Sequence, residues 1–412
     1  MPNELGIGNI FFTAYDEKIT GTSQRDPLGL QLIWSYYGRR LVKHITTISD
    51  DIRGFREVLL CLSICNDYYQ MQNGKNKLEL KSLILIFEQL FVYSTVRRGE
   101  SAGIIGADNA NARYKEKQED TLVSYEDTIL VREISLGYYG RYKTPLLTMG
   151  IIDNASRIGE EIDVIKLYGS NLYQSVLDGF RLFCEDISDS RRELPIKEFK
   201  MFDCLYEAVC GKMRDGEAAF WLDRLQISGE NKDELMQSCY DVVDYDNVGR
   251  VAMELLPAET KVVDIRMLEP FLRCMESVFY TALSVNKISG VAFDVATLEK
   301  HKERYREFCK CSDPKEEDSS ILVKRIKYLK EKCNPESERY VKNILDYHKQ
   351  VCTQKKSSVW LEYDDSNDSV QSFVQADSSI NLDTWGRDYY LASLWGIKSG
   401  IERLSNAGIQ GE

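Results

Sequence analysis

The sequence predicts a mainly α, multi-domain protein, and three observations carry that prediction. Apolar residues recur at helical spacing through most of the 412 residues. Only eight prolines interrupt them, each able to cost a helix interior roughly 3 kcal/mol. Polar or glycine-bearing connections punctuate the pattern along its length. At about 150 residues per domain the chain makes two or three domains, and 43% apolar with 29% charged residues is an ordinary folded composition. We expect a helical, winged-helix-like domain over 1–152, a helical middle region over 153–260, and a C-terminal helical bundle with a small β-hairpin over 261–412.

The first element is "TGTSQRDPLGLQLIWSYYGRR", residues 20–40, which turns at Asp26-Pro27 from a polar run into a helix. Asp26 suits the N-cap, and Pro27 suits the first helical position, where its missing N–H leaves nothing unpaired. Leu28, Leu32, Trp34, Tyr36 and Tyr37 supply apolar surface, Gly38 weakens the helix, and Arg39 and Arg40 follow. The aromatic group beside two arginines reads as a hinge from core to surface. After "HITTIS", Ser49 caps a second helix whose buried face runs through Ile52, Phe55, Val58, Leu59, Leu62 and Ile64. Asn73-Gly74 centres a turn, and a third helix from about Leu78 to Val96 is apolar on nearly all sides, as in a bundle interior.

"RRGESAGIIGADNANAR" (97–113) reads as a loop leading to a short helix capped near Asp108. In "EDTILVREISLGYYGRYKTPLLTMGII" two helices flank a glycine and an apolar extension follows. That is the pattern of a helix-turn-helix or winged helix, and also of a plain bundle. Helical periodicity continues from 160 to 257, and Pro257 marks a boundary near 258–262. A long helix begins in "DIRMLEPFLRCMESVFYTALSV", and three more are separated by "SDPKEED" and "NPES". "SSVWLEYDD" and "VQSFVQA" alternate as strands around the acidic turn "DDSNDS", and "WGRDYYLASLWGIKSGIERL" closes the chain as an amphipathic helix.

The formal charge of −12 argues against whole-surface coating of nucleic acid or anionic membrane, while leaving room for a local basic face. No run approaches the roughly 18 apolar residues of a spanning helix, and "MPNELGIGNIFF" lacks a signal peptide's basic start. We therefore expect a cytoplasmic chain with no membrane contact. Eleven scattered cysteines read as reduced core thiols. Three histidines disfavour histidine catalysis and multi-histidine metal sites, so neither cofactor nor metal is expected.

The catalytic motifs are weak. Gly99, Gly103 and Gly106 lack the lysine and hydroxyl of a phosphate loop and follow no strand. No nucleophile elbow occurs. His348 shares an apolar face with Tyr340, Val341, Ile344, Leu345, Val351 and Cys352, as a core histidine with one hydrogen bond does. Cys309 and Cys311 with Cys333, His348 or Cys352 space poorly for zinc. Asp244, Asp246, Glu259 and Lys261 imitate the acid…Glu-x-Lys set of metal-dependent nucleases, which needs a strand in a mixed sheet.

Local basic clusters carry more. Arg39, Arg40, Lys43 and His44 follow the first helix; Arg97, Arg98 and Arg113 flank the small-residue loop; Arg141 and Lys143 lie in the helix-turn-helix candidate. Between Ile321 and Lys356 lie ten Lys/Arg, Lys324, Arg325 and Lys327 among them, against four acidic residues. Such point charges suffice for phosphate contacts; a solvated face or an acidic protein partner uses them equally.

Three segments, "TGTSQRDPLGLQLIWSYYGRRLVKHITTISDDIRGF" (20–55), "GYYGRYKTPLLTMGII" (137–152) and "ILDYHKQVCTQKKSSVWLEYDD" (344–365), carry a resemblance. Their shared patterns are D-P-L-G followed by Trp and R-G-F, Y-x-x-P-L-x-x-x-G, and a late histidine helix followed by a tryptophan strand. Together they resemble a loosely defined group of uncharacterised bacterial proteins found beside helicases, nucleases and methylases in phage-defence and restriction gene clusters. The resemblance implies a mainly helical accessory subunit without catalysis, working with a helicase, nuclease or ATPase and with DNA as a further partner. The expected function is a non-catalytic adaptor or nucleic-acid-engaging subunit. The alternatives are a nuclease using Asp246, Glu259 and Lys261, and a purely protein-binding subunit.

Overall fold

The computed structural model describes residues 26–72, 77–190, 192–315, 318–374 and 380–406. The polar run before Asp26 and the Asn73-Gly74 turn lie outside the described residues. In chain order the helices are α1 (Leu30–Leu41), α2 (Ile52–Met71), α3 (Leu80–Arg98), α4 (Ala107–Lys117), α5 (Glu133–Leu136), α6 (Tyr138–Thr148), α7 (Val164–Tyr168) and α8 (Ser170–Ser190). They continue with α9 (Phe202–Cys210), α10 (Glu217–Arg224), α11 (Glu234–Val242), α12 (Arg250–Leu255), α13 (Thr260–Leu283), α14 (Val295–Phe308), α15 (Ser320–Lys332), α16 (Tyr340–Lys355) and α17 (Leu391–Asn406). Helix makes up 61% of the described residues, so the mainly α prediction is met.

The small C-terminal hairpin is also present. β3 (Leu361–Asp364) pairs antiparallel with β4 (Ser369–Ser372), Tyr363 opposite Val370. The Asp364 carboxylate organises the turn by accepting from Ser366 N–H (2.9 Å) and the Asn367 amide (2.6 Å). A second antiparallel pair, β1 (Leu122–Ser124) with β2 (Glu193–Pro195), joins segments far apart in sequence. No helix among the described residues is long and apolar enough to cross a membrane.

The described residues form two compact units, 44–237 with 393–406, and 26–43 with 238–392. The expected boundaries at 152 and 260 fall inside the first and the second unit.

In the first unit α2 packs on α3, α6, α8 and α9. Every residue of α3 from Leu83 to Val96 is buried, as its all-round apolar character predicts. At the candidate helix-turn-helix, α5 has four residues and reaches α6 through Gly137 alone. A DNA-reading helix must leave a face free for the groove. Here α6 buries Tyr138, Tyr139 and Tyr142, with Tyr138 edge-to-face on Phe91 (5.3 Å) and Tyr142 edge-to-face on Phe55 (4.8 Å), and only Thr148 is fully exposed. The apolar extension makes one bridge, Ile152 to Ile158, in place of a two-stranded wing.

In the second unit α13 is central, packing against α1, α14, α16 and β4, and α1 also touches α15. The start of α1 corrects the sequence reading. The helix begins at Leu30, because Pro27 to Gly29 form a turn closed by Gly29 N–H to the Asp26 carbonyl (3.1 Å), with Gly29 left-handed at φ 60°. Asp26 still caps, reaching past the turn to Leu30 N–H (2.9 Å) and Gln31 N–H (3.2 Å).

Candidate functional site

The predicted cations divide between the units. In the first unit Arg97 stacks on Phe202 (4.5 Å) and pairs with Glu119 (2.9 Å); Arg98 stacks on Tyr206 (4.4 Å) and pairs with Asp203 (3.1 Å). Arg113 is spent on Asp127 (3.1 Å) and the Thr128 carbonyl (2.9 Å). Arg141 donates to the Leu136 carbonyl (2.9 Å), and Lys143 lies over the Tyr139 ring (5.4 Å). These groups are committed to their own fold, which weakens each as a phosphate contact.

In the second unit Arg39 is exposed, Arg40 lies over the Tyr36 ring (5.4 Å), and Lys43 is half-buried beyond the C-terminus of α1. Lys324 and Lys327 project from α15, Lys327 lying 3.7 Å from Glu331. Arg325 is the correction. It is 2% exposed and donates to the Gly29 carbonyl (3.0 Å) and Gln354 (3.2 Å), so it is a structural tie and not a surface contact. Its position on α15 explains this, since Leu322, Arg325, Ile326 and Leu329 form one buried face.

α15 and α16 run antiparallel as a hairpin of helices. Arg325 meets Gln354, Tyr328 stacks on Tyr347 (5.4 Å), and Asn343 donates to the Lys332 carbonyl (2.6 Å). Outside that seam Lys324, Lys332, Lys349 and Lys356 are exposed, with no charged partner among the described residues.

The D-P-L-G turn sits at one end of this hairpin, and each of its residues has its own task. The Asp26 carboxylate caps α1 and pairs with Lys355 (3.0 Å). The Pro27 carbonyl takes a bond from His348 (2.8 Å), Leu28 is buried, and the Gly29 carbonyl takes Arg325. A Cβ at Gly29 would lie 2.7 Å from the Arg325 guanidinium.

His348 makes two bonds where the sequence implied one. A carbonyl only accepts, so Nδ1 carries the proton toward Pro27, and Nε2 accepts Trp360 N–H (2.9 Å). Both bonds need the neutral ring, and burial lowers its pKa accordingly.

Beside the turn is an ionic network that sequence reasoning missed. Glu269, wholly buried on α13, accepts from Arg387 (3.2 Å), Gly386 N–H (2.8 Å) and the Tyr389 hydroxyl (2.7 Å). Glu276, two turns on, takes Arg387 (2.5 Å) and Arg273 (2.6 Å). Tyr389 and Tyr390 are both left-handed, at φ 55° and 69°, a conformation bulky residues adopt only when surroundings over-determine it. Trp34 holds them, with rings 6.2 and 5.2 Å away, and Gly38 leaves room on α1 for the Tyr390 ring. An acid at Glu269 within an otherwise apolar stretch of α13 was the available signal.

The catalytic alternatives find no geometry among the described residues. Glu259 precedes the first turn of α13 and Lys261 lies in that turn, with no strand beneath them. Asp244 is used locally, accepting from Asp246 N–H (2.9 Å) and Asn247 N–H (2.8 Å). Cys311 is turned to the Asp264 carbonyl (3.4 Å), and no set of three His, Cys, Asp or Glu side chains is placed to hold a metal.

Three buried acids in the first unit also escaped the sequence reading. Glu57 is wholly buried and neither of its carboxylate oxygens has a partner among the described residues; Glu88 takes Tyr139 N–H (2.5 Å) through one oxygen, its other having no described partner. Glu133 accepts Ile129 N–H (2.8 Å), and burial pushes its pKa up to about 7. Compared with protein-family models, with curated proteins and with solved structures, the chain matches none.

Proposed function

We propose that this chain is a cytoplasmic, nucleic-acid-engaging subunit of a multi-protein complex, acting by binding and not by turnover. This is the role implied by its resemblance to accessory proteins of phage-defence clusters. The observation that carries the reading is the α15–α16 hairpin. In a chain of charge −12 it presents Lys324, Lys332, Lys349 and Lys356 to solvent, with Lys327 beside them. Phosphate contacts ask for exposed, movable cations, and this hairpin supplies them. The helix-turn-helix candidate plays no part in the reading, because α6 spends its surface on packing.

The test is fluorescence anisotropy with labelled single- and double-stranded DNA at several salt concentrations. Lys324→Glu, Lys327→Glu and Lys349→Glu together should weaken binding at least tenfold. They should also flatten the log–log salt dependence by about 2, at about 0.7 per phosphate contact on a single strand. Binding indifferent to the triple reversal refutes the reading, and absence of binding leaves the purely protein-binding role. DNA or RNA cleavage with Mg²⁺ or Mn²⁺ that is lost in Glu259→Ala would make the chain a nuclease.

A further inference from the structure

Within the second unit a cavity of about 240 Å³ opens beside the D-P-L-G turn, lined by Asp26, Gln31, Trp34, Glu276, Tyr280 and Arg387 among others. We infer that this cavity receives one unstacked nucleobase of a single strand whose phosphates lie along the α15–α16 hairpin, a deepening that rests on the function proposed above. Three features of the wall argue for a neutral, planar, hydrogen-bonding ligand.

The charges of the wall are already matched. Asp26 has Lys355 (3.0 Å), and Glu276 has Arg387 (2.5 Å) and Arg273 (2.6 Å), so no net field calls for a charged ligand. The neutral polar groups are unmatched. The Gln31 amide and the Tyr280 hydroxyl have no hydrogen-bond partner among the described residues, and Tyr280 feels both carboxylates. An indole lines the same wall. Trp34 is fixed by Tyr389 and Tyr390, which suits it as a stacking platform. The volume lies just below the about 300–1,000 Å³ of drug-sized sites, the size class of a single ring system.

The cavity adjoins the basic hairpin directly. Lys355, at the end of α16, reaches Asp26 on the cavity wall, and Arg325 of α15 bonds the Gly29 carbonyl in the same turn. Lys324 and Lys356 are the chain neighbours of those two residues and are exposed. A strand held by its phosphates on these lysines has a base within reach of Trp34. Asp26 and Glu276 keep acceptor oxygens on the wall, which suit the amino groups of bases.

The probe is a single-stranded DNA oligonucleotide compared with one of equal length and charge in which every nucleotide is abasic, both titrated against the full chain. The wild type should bind the base-bearing strand about tenfold more tightly. Gln31→Ala with Tyr280→Phe should remove most of that preference while leaving the salt dependence unchanged. Tyr280→Phe deletes one oxygen, so its thermal unfolding should match the wild type. Equal binding of both strands by the wild type overturns the cavity assignment and leaves the hairpin reading intact. A preference that survives both substitutions overturns it as well. Failure to bind either strand at low salt ends both.

Discussion

Replacing Glu57 by leucine should stabilise the first unit, and more so as pH rises. Glu57 is wholly buried on α2, with neither oxygen hydrogen-bonded to any described residue. Burial, then the neighbouring Glu88, pushes its pKa well above the ordinary 4.5. An unpaired buried polar group costs about 1–3 kcal/mol, and leucine fills a similar volume without that cost. The pH dependence adds to this. The folded pKa lies above the unfolded one, so the native chain keeps a proton that the unfolded chain gives up. Wild-type stability is then complete below about pH 4.5. It falls by about 1.4 kcal/mol per pH unit as pH rises toward the folded value. The leucine variant has no such slope at this site. Its advantage should be about 1–3 kcal/mol at pH 5 and larger at pH 7. Urea unfolding followed by far-UV circular dichroism at both pH values measures it. A variant less stable than wild type at pH 7, or an advantage equal at both pH values, would mean that Glu57 is ionised and paired in the native state.

Gly29→Ala should destabilise the second unit by about 1–2 kcal/mol or more, through left-handed strain and a Cβ 2.7 Å from Arg325, read as a lowered urea midpoint; an unchanged midpoint refutes the turn geometry. His301, buried against Phe293 and Tyr340, has its pKa lowered to about 4 by burial. Its contribution is complete above about pH 6.5 and is lost as pH falls toward 4, about 3 kcal/mol in all. His301→Phe should abolish that acid-side slope in urea titrations, and a slope that persists would place the titration elsewhere.

The sequence made legible what depends on neighbours along the chain. The cap at Asp26, the buried α3 and the β3–β4 hairpin all follow from local pattern. The tight packing at Gly29 was not legible, because beyond its left-handed φ a Cβ there would meet Arg325, 296 residues later. Arg325 itself was misread from charge alone, although Leu322, Ile326 and Leu329 at helical spacing place position 325 on the inner face. The tyrosines of α6 told the same story, since a helix carrying Tyr138, Tyr139 and Tyr142 has aromatic surface to bury before any groove to read. β1 and β2 are three residues each and far apart, too short for alternation to show.

The long-range bonds at the D-P-L-G turn also show which forces hold α1 and which only orient it. The His348 to Pro27 bond spans 321 residues, and closing a flexible loop of that length costs about 5 kcal/mol or more. A neutral hydrogen bond returns about 1 kcal/mol net and one from a charged group about 1.5–3, so Arg325, His348 and Lys355 together about break even and fall short of a surplus. The apolar face of α1 does not: Leu30, Ile33, Tyr37 and Leu41 are each 1% exposed or less, and each buried side chain is worth about 1.5–3 kcal/mol. Packing therefore docks the helix, and the polar ties select the one register in which Gly29 clears Arg325 and Gly38 clears Tyr390. That register is also what brings Gln31 and Trp34 to the cavity wall. A substitution at His348 should accordingly blur the geometry of the cavity before it undocks α1.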